Sequence, residues 1–167
     1  MGYFGMGPRI FFPPIFLGLA AGFATWLWPQ SLVMRFAPTL AFRIAGFTLI
    51  AIGLALAMPA NHAMQKAVRA GRLLTTGPFA LTRNPMYFSY IFLIFPGVAV
   101  VTRAWLVFVT PLASLALFHV FIKREEASLA DHFGSDYLEY KARVPALLPS
   151  FRNRAPDSPT NTNRSEP

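Results

Sequence analysis

Residues 86–122 read MYFSYIFLIFPGVAVVTRAWLVFVTPLASLALFHVFI, and the fold turns on them. Two apolar runs, Met86 to Val101 and Ala104 to Ile122, are parted only by Thr102 and Arg103. Each approaches the ~20 residues that cross a ~30 Å hydrocarbon core, so the pattern predicts a tight helical hairpin in lipid. Pro96 and Pro111 fall inside the two runs. Lipid-embedded helices tolerate proline where neighbours satisfy the freed carbonyls, so kinks are expected and not breaks.

Two more spans lie upstream. Ile10 to Trp28 is free of charge, and Leu40 to Ala60 has the core IAGFTLIAIGLALAM, with Arg43 near enough to its end to snorkel. The first run is longer than a signal-peptide core and ends in Trp26-Leu27-Trp28, an interfacial aromatic belt and not a small-residue cleavage site. Four spans, about 10–28, 40–60, 86–101 and 104–122, therefore predict an all-α integral membrane protein. The composition agrees: only 13% of residues are charged and 54% are hydrophobic, against roughly 25% charged in soluble domains.

Charge is distributed as membrane topology requires. All seven acids follow residue 124, whereas ten of the fifteen Lys and Arg lie at or before it, between apolar runs. No basic stripe interleaved with aromatics tracks a phosphate backbone, so nucleic acid is not an expected partner despite the net charge of +8. The N-terminus, the 61–85 loop and the segment after Ile122 carry twelve Lys and Arg, and the opposite loops three, Arg35, Arg43 and Arg103. Both termini and the central loop are thus expected in the cytoplasm. Residues 1–150 read as one unit, with a re-entrant helix in 61–75 left open. The last seventeen, FRNRAPDSPTNTNRSEP, have almost nothing to bury and read as a disordered tail.

Two polar segments can carry chemistry. GPFALTRNPMY, residues 77–87, has turn signals at Gly77-Pro78 and Asn84-Pro85, the second opening a helix at the membrane surface. Arg83 and Asn84 stand beside that helix start, where an anionic group could bind; the same residues also read as a snorkelling arginine and an ordinary Asn-Pro cap. EEASLADHFGSDYLEYKARVPALLP, residues 125–149, places Leu129, Phe133, Tyr137, Tyr140 and Val144 at helical spacing, with Asp131, Ser135, Glu139 and Arg143 opposite. This predicts an amphipathic helix on the membrane's cytoplasmic face, bent at Gly134. Glu125 and Glu126 at a membrane exit must be solvated, paired with Lys123 and Arg124, or bound to something cationic, and neighbours on a helix do not face one site together. His119 sits three residues inside the fourth span, an ionisable group close enough to its end to reach headgroups. With no cysteine and no histidine pair at ligand spacing, no metal is expected.

Together the two segments resemble the isoprenylcysteine carboxyl methyltransferase family and its relatives among membrane phospholipid methyltransferases. The resemblance covers about residues 62–150. The family's turn and R-H/N-P-x-Y motif is matched by Gly77, Pro78, Phe79, Arg83, Asn84, Pro85 and Tyr87. Its E-E-x-x-L, F-G-x-x-Y-x-x-Y and V-P/L-P elements are matched by Glu125, Glu126, Leu129, Phe133, Gly134, Tyr137, Tyr140, Val144, Pro145, Leu148 and Pro149. Asn84 departs from the histidine usual among the isoprenylcysteine enzymes, which bears on the acceptor and not on the cofactor.

The resemblance implies transfer of a methyl group from S-adenosyl-L-methionine to a lipophilic acceptor, most of all an isoprenylcysteine-type carboxylate. Residues 77–81, Leu81 included, and 83–87 would enclose the cofactor. Glu125 or Glu126 would bind its amino group or ribose, and Tyr137 and Tyr140 would close the pocket. Arg83, Glu126 and Arg124 would be the catalytic group, with Arg124, and Arg143 as a further candidate, orienting an anionic acceptor. An ionised carboxylate acceptor needs no base, whereas a protonated amine would require one from Glu126 or His119. Phospholipid N-methylation, methylation of a small thiol or isoprenoid, and an NADPH-dependent membrane reductase are the alternatives. The last would need Arg69, Arg72 and Arg83 to receive a 2′-phosphate.

Overall fold

A computed structural model describes residues 7–149. The 151–167 tail expected to be disordered lies outside the described residues. The elements run α1 (Gly7–Leu27), α2 (Pro29–Leu32), α3 (Thr39–Arg69), a 3-10 turn (Gly77–Ala80), α4 (Pro85–Ser89), a π-helical turn (Tyr90–Ile94), α5 (Phe95–Thr102), a second 3-10 turn (Trp105–Phe108) and α6 (Val109–Arg143). Among the described residues four stretches are long and apolar enough to cross a bilayer: Ile10–Leu27, Thr39–Arg69, Pro85–Thr102 and Trp105–Arg143. The protein is an all-α integral membrane protein. Its exposed faces carry Phe16, Phe47 and Leu112, as suits helices whose surroundings are lipid.

The second and fourth spans differ most from the sequence reading. Helix α3 does not stop near Ala60 but continues through Asn61–Arg69, so residues 61–69 extend the span and do not turn back as a re-entrant helix. At 1.5 Å per residue this 31-residue helix is roughly 46 Å long, more than a hydrocarbon core needs. Its surplus turns form a wall beyond the apolar layer. Helix α6 likewise runs on past Ile122 to Arg143, broken only at Gly134, whose φ of 56° and ψ of −130° leave the helical region.

The prolines behave differently from one another. Pro96 follows the π-helical turn at the start of α5, where the Phe95 N–H reaches back to the Tyr90 carbonyl. Widening the turn absorbs the missing donor. Pro111 sits in the first turn of α6, where its missing N–H costs nothing, so no kink forms there.

Helix α3 packs along α4 and α5, and α1 along α6. Glycine permits the first contact: a Cβ on Gly46 would lie 2.8 Å from the Gly97 carbonyl oxygen, and one on Gly97 2.7 Å from Ile50 Cγ1. Such close approach is how helices associate where lipid removes the hydrophobic drive. At the 102–104 connection Arg103 takes left-handed φ and ψ of 57° and 26°. Its Nε and Nη2 donate to the Met34 carbonyl at 3.0 and 2.8 Å, and Nη1 donates to Thr39 Oγ1 at 2.7 Å. Arg103 therefore ties the hairpin to the α2–α3 connection.

Candidate active site

A cavity of about 540 Å³ opens where α3, α4 and α6 run beyond the apolar layer. Its wall on α3 includes Leu54, Met58, Asn61, Met64 and Val68, a stripe at helical spacing, and Phe11 of α1 contributes on the other side. Nine of the thirteen residues expected to bind the cofactor or act in catalysis line it: Phe79, Arg83, Asn84, Pro85, Tyr87, Glu125, Glu126, Tyr137 and Tyr140. Gly77, Pro78, Leu81 and Arg124 do not. Gly77 instead shapes the turn, with φ of 63°, a value that favours glycine. Gly77 and Leu81 are exposed, as is Arg124. His119 is exposed and its ring bonds the Leu115 carbonyl at 2.8 Å, away from the lining.

Both adjacent carboxylates line the one cavity, contrary to the expectation that helix neighbours face apart, but they are held differently. Glu126 Oε1 lies 2.7 Å from Arg83 Nη1 and its Oε2 lies 2.8 Å from Lys141 Nζ, so both oxygens are taken. Glu125 lies beside the Tyr87 side chain, which favours its ionised form. Its Oε2 is buried and, among the described residues, has no partner. Glu125 lies beyond the apolar run ending at Ile122. Burial, reinforced by the Glu126 charge, holds its carboxyl above the usual carboxylate range, against the Tyr87 side chain, which pulls the other way. Of the alternatives open from the sequence, pairing with Lys123 and Arg124 is not the one taken: Glu126 pairs with Arg83 and Lys141 from further along the chain. Both of those cations are exposed.

Arg83 is the hub. Its Nη1 also donates to Tyr137 Oη at 3.2 Å, its backbone N–H donates to the Pro145 carbonyl at 2.9 Å, and its Nε is buried without a partner among the described residues. Tyr140 Oη donates to the Phe79 carbonyl at 2.7 Å. Burial first, then the Glu126 charge, pushes the Tyr137 hydroxyl up, so it remains a neutral donor or acceptor. Asn84 precedes α4 but does not cap it with its side chain. Its Nδ2 donates instead to the Ala146 carbonyl at 2.9 Å, and Thr82 Oγ1 donates to the Ala146 and Leu147 carbonyls at 3.2 and 3.0 Å. The ordinary Asn-Pro cap is thus set aside in favour of a staple between residues 82–84 and 145–147.

The helix after Glu125 is bent at Gly134 as its sequence predicts, but its apolar face does not lie free for a membrane surface. Leu129, Phe133, Tyr137 and Tyr140 all line the cavity. Sequence reasoning missed Lys141, Thr82 and the α3 wall. The spacing of Leu54, Asn61, Met64 and Val68 was the available signal for the wall, hidden because the span was ended at Ala60. Among the described residues no cluster of His, Asp and Glu is arranged to hold a metal ion.

Four lipid-length helices with a carboxylate-and-arginine cavity at one end define a membrane protein with an enzyme-like site. The family profile of phospholipid methyltransferases matches residues 41–136, which covers both the α3 wall and the Glu125-Glu126 pair. The chain belongs to the phospholipid methyltransferase family. It is 33% identical over 95 residues to methanethiol S-methyltransferase 1 of Bradyrhizobium diazoefficiens, covering 56% of this chain and 32% of that protein. It is 32% identical over 93 residues to protein-S-isoprenylcysteine O-methyltransferase of Xenopus laevis, covering 55% of this chain and 32% of that protein. The chain thus aligns with about a third of the length of each of these curated relatives.

Proposed function

We propose that this protein is a methyltransferase that takes its methyl group from S-adenosyl-L-methionine and places it on a lipophilic acceptor, an isoprenylcysteine-type carboxylate. The observation that carries this reading is a single cavity with an ionic end, Glu125 and Arg83, and an apolar wall, Leu54, Met58 and Phe11. Its volume lies within the roughly 300–1,000 Å³ of small-molecule sites.

The residues present fit the cofactor. Glu125 Oε2 is a buried acceptor without a partner and Arg83 Nε a buried donor without one. One suits an ammonium or hydroxyl and the other a carboxylate, the two ends of an amino-acid moiety. Bound there, S-adenosylmethionine would supply an activated methyl on a sulfonium. The chain's own part is to align and to exclude water: Glu125 and Arg83 bind, Tyr137 and Tyr140 cover, and the α3 wall seats the apolar acceptor. An ionised acceptor carboxylate asks for no base. Arg72, a lining cation with no side-chain partner among the described residues, is the group offered to it. Arg124, exposed, is assigned a lesser part. The twelve-to-three distribution of Lys and Arg supports placing this end in the cytoplasm.

The relative named for methanethiol favours a second acceptor class, a small thiol. Purified protein given methyl-tritiated S-adenosylmethionine with a farnesylcysteine analogue, with methanethiol or with lipid extract separates these. Label on the farnesylcysteine analogue, released by alkali as methanol, is the expected result. Base-stable label moves the acceptor to a thiol or an amine. Absence of transfer to every acceptor overturns the proposal.

A further inference from the structure

Glu126 and Lys141 belong to the same helix, yet their charged atoms meet at 2.8 Å. Fifteen residues of straight helix would hold their Cα atoms about 22 Å apart, beyond the combined reach of the two side chains. The contact exists because the chain folds back at Gly134, whose φ of 56° and ψ of −130° other residues rarely adopt. Beyond that bend Tyr137, Tyr140 and Lys141 share one helical face through three- and four-residue spacings. That face comes down over the cavity, where Tyr137 and Tyr140 line it and Lys141 does not.

Lys141 therefore acts on the site only through Glu126. Its side chain is 44% exposed and that of Glu126 12% exposed. Arg83 alone would satisfy one Glu126 oxygen and leave the other desolvated; Lys141 removes that cost and joins the folded-back segment to Arg83 through a shared carboxylate.

We propose that Lys141 is a positioning residue: by pairing with Glu126 it holds residues 135–143 closed over the cavity, and its release lets that segment move aside for cofactor exchange. This rests on the methyltransferase reading for its kinetic consequences and on geometry alone for the closure. An ion pair with one half-exposed partner is weak and screened by salt, which suits a clasp that must open repeatedly.

The chain has no cysteine, so spin labels can be placed at Leu138→Cys and Ala80→Cys, both exposed positions, one on the segment and one beside the Phe79 carbonyl that Tyr140 bonds. In the doubly labelled protein Lys141→Met should lengthen and broaden the label distance, and Lys141→Arg should restore it. For methyl transfer, Lys141→Met should raise KM for S-adenosylmethionine about threefold to tenfold with kcat within about twofold, an effect sized for a partly exposed ion pair. In a Glu126→Gln background the further change from Lys141→Met should vanish. An unchanged label distance overturns the closure, and a Lys141→Met effect that persists in full beside Glu126→Gln overturns action through Glu126. If the wild-type protein methylates nothing, the methyltransferase reading fails and the label distances still decide the clasp.

Discussion

Arg83 Nη1 stands 2.7 Å from Glu126 Oε1, so the turn before α4 and the middle of α6 are joined by a largely buried ion pair in the lining of one cavity. The relationship divides the labour of two neighbouring carboxylates. Glu126 is saturated by protein cations, and Glu125 keeps a buried oxygen for something else.

Glu125→Gln should weaken S-adenosylmethionine binding about tenfold or more, the cost of losing a charged hydrogen-bond partner in a desolvated site. Isothermal titration in detergent measures this, and affinity equal to wild type would remove Glu125 from the site.

The same residue sets a pH dependence. Burial raises the Glu125 carboxyl above the ordinary glutamate value of about 4.3. A cationic ligand group needs the ionised form, so affinity should fall with decreasing pH while still above the ordinary glutamate range. In the ligand-free protein the sign is opposite: the fold favours the protonated group, and that contribution is lost as pH rises through the elevated pKa. Both trends should flatten in Glu125→Gln, followed by cofactor titration and thermal melts at several pH values.

Tyr140→Phe removes the donor to the Phe79 carbonyl and should cost about 1 kcal/mol of stability, with weaker cofactor retention. Comparing melts with and without S-adenosylmethionine separates the two effects. No change in either would make the bond incidental.

Gly97→Val should be among the most damaging single changes in the membrane. Even a Cβ at this position lies 2.9 Å from the Gly46 carbonyl oxygen, so α3 and α5 must separate, at about 1–3 kcal/mol by analogy with overpacked cores. Loss of monodisperse protein in detergent would register it. A wild-type melt would show that the helices can slide apart without loss.

Arg103→Ala should destabilise without touching chemistry. It strips two donors from the Met34 carbonyl and one from Thr39, at the end of the bundle away from the cavity. The melting temperature should drop while KM for S-adenosylmethionine stays within about twofold, as expected for a site sharing no partners with the change.

Much of this is legible in the sequence. Apolar runs announce four spans because lipid demands length and purity of composition, and the motif residues Arg83, Asn84 and Tyr87 meet Glu125, Tyr137 and Tyr140 in the lining of one cavity. What stayed hidden involves contacts that no local pattern encodes. Asn61–Arg69 mixes polar and basic residues, so hydropathy ends the span while the helix continues. Asn84 reads as a cap because of its place before Pro85, yet its amide is claimed by Ala146, far along the chain. Lys141 looks like a solvated charge until the bend at Gly134 turns it toward Glu126.

The short connection through Arg103 and Ala104 also constrains how the third and fourth spans sit in a bilayer. With so short a link, the far end of the third span and the near end of the fourth must lie at the same depth, so the two helices form one hairpin in the bilayer. The docking of Arg103 on the Met34 carbonyl fixes how this hairpin seats against the α2–α3 connection once both helices lie in the bilayer.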